Sequence, residues 1–438
     1  MKTDSQTSSE LLQTRIRRNR DGEKVGVYAV CSAHPSVIEA AVRQAVDDGP
    51  VLHVESTSSQ VNQFGGYTGK TPAQFAEYVH SAAQSGGLPP ERVLLGGDHL
   101  GPYPWRHETS DVAMRKAREL VRACVLAGYK KIHLDASMAC ADDGKIALSD
   151  SVIAHRAAVL CRAAEDAFVE LPSGSSPLLY VIGTEVPIPG GETVAGSPPA
   201  VTPAENVQHT LEVSRAAFEK EGVAAAWERV IGMVVQPGVE FGENVIFCYD
   251  RQKARALSSA LPERPALVYE AHSTDYQPAD ALKLLVEDHF AILKVGPWLT
   301  FAFREAVFAL GAIERELLAD RKRERISQVP EALEAAMVRN PAYWGSYYHG
   351  SEEEIRRARM YSYSDRCRYY WGDATVQQEL AQLRANLELY PPPPMLLVQY
   401  MPLEHEAIQS GRVAARMEDM IQEHIRAVLR IYASACGI

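Results

Sequence analysis

Asp98 and His99 stand side by side where the apolar run RVLLGGD ends, so a carboxylate able to carry a proton adjoins an imidazole able to hold a metal ion. Glu270 and His272 in YEAHSTDYQ are two residues apart, which places them on one face of a strand, and His272 could share an ion with His99. Other runs end in similar groups: Glu55 in VEST, His133 and Asp135 in HLDAS, Glu185 in GTEV, Gln236 and Glu240 in QPGVEFG, and Lys294 in LKVGP. Two imidazoles and one oxygen make a three-ligand site with a position left for substrate. That set suits a divalent ion, zinc first, with manganese, cobalt or nickel as alternatives. The oxygen is open between Glu185, Glu240 and the Gln236 amide.

Asp98 is the expected proton carrier, and Lys294 is placed to meet a developing negative charge or a phosphate. Glu55 and Asp135 would orient the histidines or bind substrate hydroxyls. In YSYSDRCRYYW, Arg366 and Arg368 could grip a phosphate by paired hydrogen bonds. Each of these residues has a structural alternative as well: a helix cap for Asp98 and Glu55, an ion pair for Lys294, helix packing for the two arginines.

The elements that must carry these groups are short β-rich runs separated by helical patterns: 25–31, 51–57, 92–98, 131–137, 178–186, 229–237, 266–272 and 290–297. Near-continuous apolar strands alternating with helices need a parallel sheet covered on its outer face. Eight such units over about 250 residues have the size of a (β/α)8 TIM barrel. An open doubly wound sheet would gather its polar groups at one switch point, whereas here they recur at nearly every strand end. We expect an α/β barrel over 1–320 and a helical region over 321–438. The Gly- and Pro-rich stretch Gly183 to Ala204 reads as a long loop over the barrel mouth, with 187–191 as a lid.

With 46% hydrophobic and 23% charged residues among 438, the chain can bury a full core. A formal charge of -11 argues against nucleic acid and against an anionic membrane surface as partners. Seven scattered cysteines without CxxC spacing suggest free thiols, and no apolar run approaches about twenty residues, so a cytoplasmic location is expected. Self-association through the extra helical region is compatible with this composition.

CSAHPSVIEAA, NQFGGYTGKTP, LGGDHLGP, HLDAS, IGTEVPIPGGE, QPGVEF, VYEAHSTDYQ, HFAILKVGP and SDRCRYYW together resemble the Z-type subunit family of D-tagatose-1,6-bisphosphate aldolase over nearly the whole chain. The resemblance implies a barrel of the class II aldolase type, in which an Asp-His pair ends the third strand and further histidines bind a metal. Asp98, His99 and His272 match that pattern, but the sixth-strand histidine has no counterpart. Glu185 or Glu240 must then replace it. The resemblance implies two functions. One is an isomerase, a C4 epimerase of a ketohexose or ketohexose 6-phosphate that interconverts tagatose and fructose forms. The other is an accessory subunit that supports a separate aldolase catalytic chain, as in galactitol catabolism.

Overall fold

The computed structural model describes residues 6–49, 51–144, 147–186, 198–321 and 323–438. Eight strands form its centre: β1 (Val27–Val30), β2 (Leu52–Thr57), β3 (Val93–Leu100), β4 (Lys131–Leu134), β5 (Leu179–Ile182), β6 (Val230–Val235), β7 (Val268–Ala271) and β8 (Ile292–Val295). They close in the order β1-β8-β7-β6-β5-β4-β3-β2, with each neighbouring pair parallel. A helix follows each strand, from Pro35–Asp48 after β1 to Pro297–Leu318 after β8. The expected TIM barrel is therefore present.

Local chemistry starts several of these helices. Thr71 accepts from the Gln74 N–H while the Gln74 side chain returns a bond to the Thr71 N–H, and Pro72 opens the helix Pro72–Ser85. Asp250 accepts from the Gln252 and Lys253 N–H groups at the start of Arg251–Ser259. A two-residue hairpin, Glu240–Phe241 against Ile246–Phe247, interrupts the connection after β6.

The two ends of the barrel differ in chemistry. At the end where the strands begin, the helix Ser8–Arg20 presses Leu12 and Ile16 against Val27, Leu94, Leu179, Ile231 and Ile292. Arg15 fastens this plug by donating from Nε to the Gly26 carbonyl at 2.8 Å and from a terminal nitrogen to the Cys436 carbonyl. Water is thus kept from the strand starts, and the polar inward residues lie above this apolar layer.

The expected helical C-terminal region is also present. Its last helix, Met417–Ala435, packs against Pro35–Asp48, Ala279–Glu287 and Pro297–Leu318. Ile425, Leu429 and Tyr432 share one buried core with Leu299 and Leu310 of the barrel. Tyr432 also donates to the Thr274 carbonyl at 2.7 Å, which ties this helix to the loop after β7. All seven cysteines are free thiols. Among the described residues, no helix is long and apolar enough to cross a membrane.

Candidate active site

In a regular strand Asp98 and His99 would face opposite sides of the sheet. β3 departs from regularity at this point: its pairing with β4 runs Gly97 to Ile132 and then slips to Leu100 and Leu134. The slip holds Asp98 and His99, and His99 has φ of 47°, in the left-handed region that a non-glycine residue rarely adopts. Both side chains consequently line the cavity at the barrel mouth. The backbone nitrogen of His99 lies 3.1 Å from His133 Nδ1, which sets the kink against β4.

Four buried side chains converge below this kink. One ligand atom each from Asp98, His133, Glu270 and His272 lies within 4.8 Å of the others. His133 Nδ1 is 3.0 Å from Asp98 Oδ1, and His272 Nε2 is 2.9 Å from Glu270 Oε1. His99 adjoins the group, its ring centre 4.8 Å from that of His272 and 5.1 Å from that of His133. Its Nδ1 is held by Asp135 Oδ2 at 2.7 Å, the arrangement that fixes a metal-binding imidazole with its other nitrogen directed onward. His99 Nε2 stands 3.8 Å from Asp98 Oδ2.

Beneath these groups lies a buried layer of charge. Lys131 Nζ is 2.7 Å from Glu55 Oε1 and 2.6 Å from Glu270 Oε2, and all three side chains are inaccessible to solvent. Lys294 Nζ contacts the second Glu55 oxygen, lies 3.0 Å from Asp98 Oδ1 and reaches within 3.6 Å of Glu270 Oε1. Gly96 makes room for this layer, since a Cβ there would meet Glu55 Cγ at 2.8 Å. Among the described inward groups, four carboxylates, Glu55, Asp98, Asp135 and Glu270, face two ammonium groups, Lys131 and Lys294. Uncompensated buried charge is costly, so this excess of negative charge calls for protons on the histidines or a further cation.

A divalent ion fits that requirement. The donor set of two imidazoles and two carboxylates is appropriate to zinc, manganese, cobalt or nickel. His133 Nε2 is buried without a hydrogen-bond partner among the described residues, and with Nδ1–H directed to Asp98 its lone pair is available to a cation. Protons take the cation's place otherwise. Burial would lower the His99 pKa, but Asp98 and Asp135 outweigh it and push it up to about 9. Burial would raise Asp98, yet His99, His272 and the bond to His133 hold it well below the usual carboxylate range. Burial pushes the Lys294 ammonium down to about 8.

The remaining sequence candidates divide into those the fold brings together and those it does not. Asp98, His99, His272 and Lys294 line one cavity, with Glu55 and Asp135 buried directly behind them. Glu185 is exposed and accepts bonds from Thr202 Oγ1, at 2.7 Å, and from the Asn206 amide. The chain turns outward after β5, which points Glu185 to the helix Ala204–Lys220 and keeps it out of the ligand group. Glu240 sits in the hairpin beyond β6, where its Oε1 accepts from the Phe241 N–H at 3.0 Å. Gln236 caps the turn after β6, its Oε1 accepting from Gly238 and Val239 N–H at 2.8 and 3.0 Å. In the place of Glu185 and Glu240 the structure offers His133 and Glu270. These two and Lys131 were legible as inward-facing residues of KIHLDAS and YEAH, at i and i+2 spacing, but not as partners of one another. The lid at 187–191 lies outside the described residues.

The cavity has a volume of about 1140 Å³ and runs from the histidines to a wall of basic and aromatic side chains. Lys70 comes from the loop after β2, Arg106 from the loop after β3, and Arg366 and Arg368 from the C-terminal region. Arg366 donates to the Tyr343 carbonyl at 2.9 Å and lies over the Tyr347 ring. Arg368 donates to the Tyr369 hydroxyl at 2.7 Å and to the Asp365 carbonyl at 3.1 Å. Much of the hydrogen-bonding capacity of Arg368 is therefore spent within the protein.

Among solved structures, a probable tagatose 6 phosphate kinase from Sinorhizobium meliloti 1021 is 44% identical, with a TM-score of 0.85 over 94% of this chain and 100% of that one. A fructose-bisphosphate aldolase from Campylobacter jejuni is 13% identical with a TM-score of 0.43, covering 88% of this chain and 93% of that one. The YdjI aldolase from Escherichia coli K12 is 11% identical with a TM-score of 0.38, covering 87% and 96%. Residues 12–437 match the family described as D-tagatose-1,6-bisphosphate aldolase subunit GatZ/KbaZ-like. With that match spanning both the barrel and the C-terminal helices, the chain belongs to the GatZ/KbaZ-like family of D-tagatose-1,6-bisphosphate aldolase subunits.

Proposed function

We propose that the chain is a metal-dependent C4 epimerase of a ketohexose or ketohexose 6-phosphate, interconverting tagatose and fructose forms. The observation that carries this reading is the juxtaposition, at the floor of one cavity, of an ionised Asp98, the Lys294 ammonium 3.0 Å away, and a buried histidine and carboxylate group. A ketohexose C4 hydrogen is not next to the C2 carbonyl and is not acidic, so direct proton exchange at C4 is difficult. Breaking and remaking the C3–C4 bond avoids that obstacle.

His133, Glu270 and His272 would hold the metal, with His99 at their edge and Asp98 kept for the proton. A bound divalent ion polarises a carbonyl oxygen as a Lewis acid. Asp98 is ionised and takes the C4 hydroxyl proton as the C3–C4 bond breaks. Negative charge then develops on the fragment bearing C1 to C3, and the buried Lys294 ammonium opposes it. The aldehyde fragment turns its other face, the bond reforms, and Asp98 returns the proton to the new C4 oxygen. Asp135 keeps His99 in place throughout, and Glu55 does the same for Lys294.

The family description favours a second reading, in which the chain supports a separate aldolase subunit. The experiment incubates the purified chain, with and without added divalent metal and ATP, with D-tagatose, D-fructose and their 6-phosphates, and follows products by NMR. Metal-dependent interconversion without free triose is the expected result. Release of triose indicates an aldolase. Consumption that requires ATP indicates a kinase like the named neighbour, and no change with any sugar sinks the epimerase and favours the supporting role.

A further inference from the structure

Barrels commonly take a phosphate where the loops after the seventh and eighth strands meet a helix N-terminus, because unpaired N–H groups and the helix dipole favour an anion. In this chain the position is filled from within. Asp275, in the loop after β7, accepts the N–H of Gly296 at 2.9 Å and that of Trp298 at 2.8 Å, both on Oδ1. Those residues are the cap and the second residue of the helix Pro297–Leu318. Asp275 is 2% exposed and lines the cavity.

Its neighbours hold it there. Thr274 Oγ1 donates to the Lys294 carbonyl at 2.6 Å, the Tyr432 hydroxyl donates to the Thr274 carbonyl at 2.7 Å, and the Tyr276 hydroxyl donates to the Tyr363 carbonyl at 2.7 Å. A phosphate arriving at this corner meets a carboxylate, and the N–H donors it needs are already taken. Lys70, Arg106 and Arg366 also line the cavity and could receive a phosphate, while Arg368, near enough to act on the charge of Asp275, spends much of its hydrogen bonding within the protein. Among the described residues, Lys70 and Arg106 form no ion pair and lie over the Tyr78 and Tyr103 rings.

We propose that Asp275 determines specificity: it keeps phosphate off the helix that follows β8, so the cavity takes ketohexoses bearing no phosphate or a single one directed to Lys70, Arg106 and Arg366, and discriminates against 1,6-bisphosphates. The proposal rests on the reading of this cavity as a sugar site.

The test titrates D-tagatose 6-phosphate and D-tagatose 1,6-bisphosphate into the full-length protein and Asp275→Asn by calorimetry, with circular dichroism as the fold control. Wild type should bind the bisphosphate more weakly than the monophosphate, and D275N should narrow that ratio by roughly tenfold or more. Asparagine keeps an oxygen for both N–H groups and removes the charge. Asp275→Ser is the second variant should D275N misfold. Tighter binding of the bisphosphate by wild type overturns the proposal whatever the variants do, as does an unchanged ratio in a folded variant. Should neither sugar bind, the sugar-site reading falls, and inorganic phosphate then decides the role of Asp275: a thermal shift by phosphate in the variant but not in wild type upholds charge exclusion, and equal shifts refute it.

Discussion

Lys131→Met tests whether the charge layer under the cavity is a structural requirement. Lys131 has no solvent exposure and bridges Glu55 at 2.7 Å and Glu270 at 2.6 Å. At an effective dielectric near 20, each contact is worth about 6 kcal/mol of Coulomb energy before desolvation is subtracted. Methionine replaces most of the aliphatic stem, so lost packing is a small part of the effect. What remains is two carboxylates in the barrel interior sharing one ammonium, Lys294, with Asp98. Breaking a buried pair in this way costs about 3–5 kcal/mol. Urea unfolding followed by circular dichroism should show a midpoint lower by about 1 M with the slope unchanged. Glu55→Gln should cost less in the Lys131→Met background than in wild type, because it removes one of the stranded charges. A Lys131→Met loss under about 1 kcal/mol would refute the reasoning, since it would mean that the carboxylates are neutralised some other way.

Gly96→Ala forces a Cβ to 2.8 Å from Glu55 Cγ, and Glu55 is pinned between two lysines, so stability should fall by about 1–3 kcal/mol in the same assay. Wild-type stability would contradict the close packing of this layer. Glu270→Gln should lose bound divalent metal by elemental analysis, while Glu185→Gln, changed at an exposed residue bonded to Thr202 and Asn206, should keep the wild-type content. The opposite pattern would restore Glu185 as the ligand. His424 links the last helix to Glu404 at 2.8 Å and to Glu305 at 3.5 Å; burial opposes its charge, but these carboxylates raise its pKa to about 9. A raised folded pKa contributes stability that is fully present below the unfolded value of about 6.5 and is lost as pH rises through about 9. Between pH 7 and 9.5 the unfolding midpoint of wild type should therefore fall further than that of His424→Gln, and parallel profiles would count against this link.

The alternation of apolar runs with helical segments was enough to read the barrel, because a parallel sheet buried on both faces leaves near-continuous hydrophobic strands in the sequence. Strand-end chemistry was legible for the same reason: Asp98, His272 and Lys294 follow directly on such runs, and a residue ending a barrel strand points into the mouth. Three features were not legible. The adjacent Asp98 and His99 share a cavity only through the slip between β3 and β4, which depends on pairing with a distant strand. Glu185 and Glu240 end apolar runs as Asp98 does, but they lie beyond β5 and β6, where the path of the chain directs them to Thr202 and to a hairpin. Lys131, His133 and Glu270 lie 139 positions apart at the extremes and meet only when the barrel closes.

Residue type and period fix which groups face inward from each strand, since side-chain direction is a local property of the backbone. Which inward groups touch depends on strand order, register and the stagger of eight strands around a closed ring, and those are properties of the whole chain. Local pattern is therefore enough to specify a barrel with acids, imidazoles and lysines at its mouth. Only closure of the ring makes Asp98, His133, Glu270 and His272 converge and sets Asp275 against the start of the helix that follows β8.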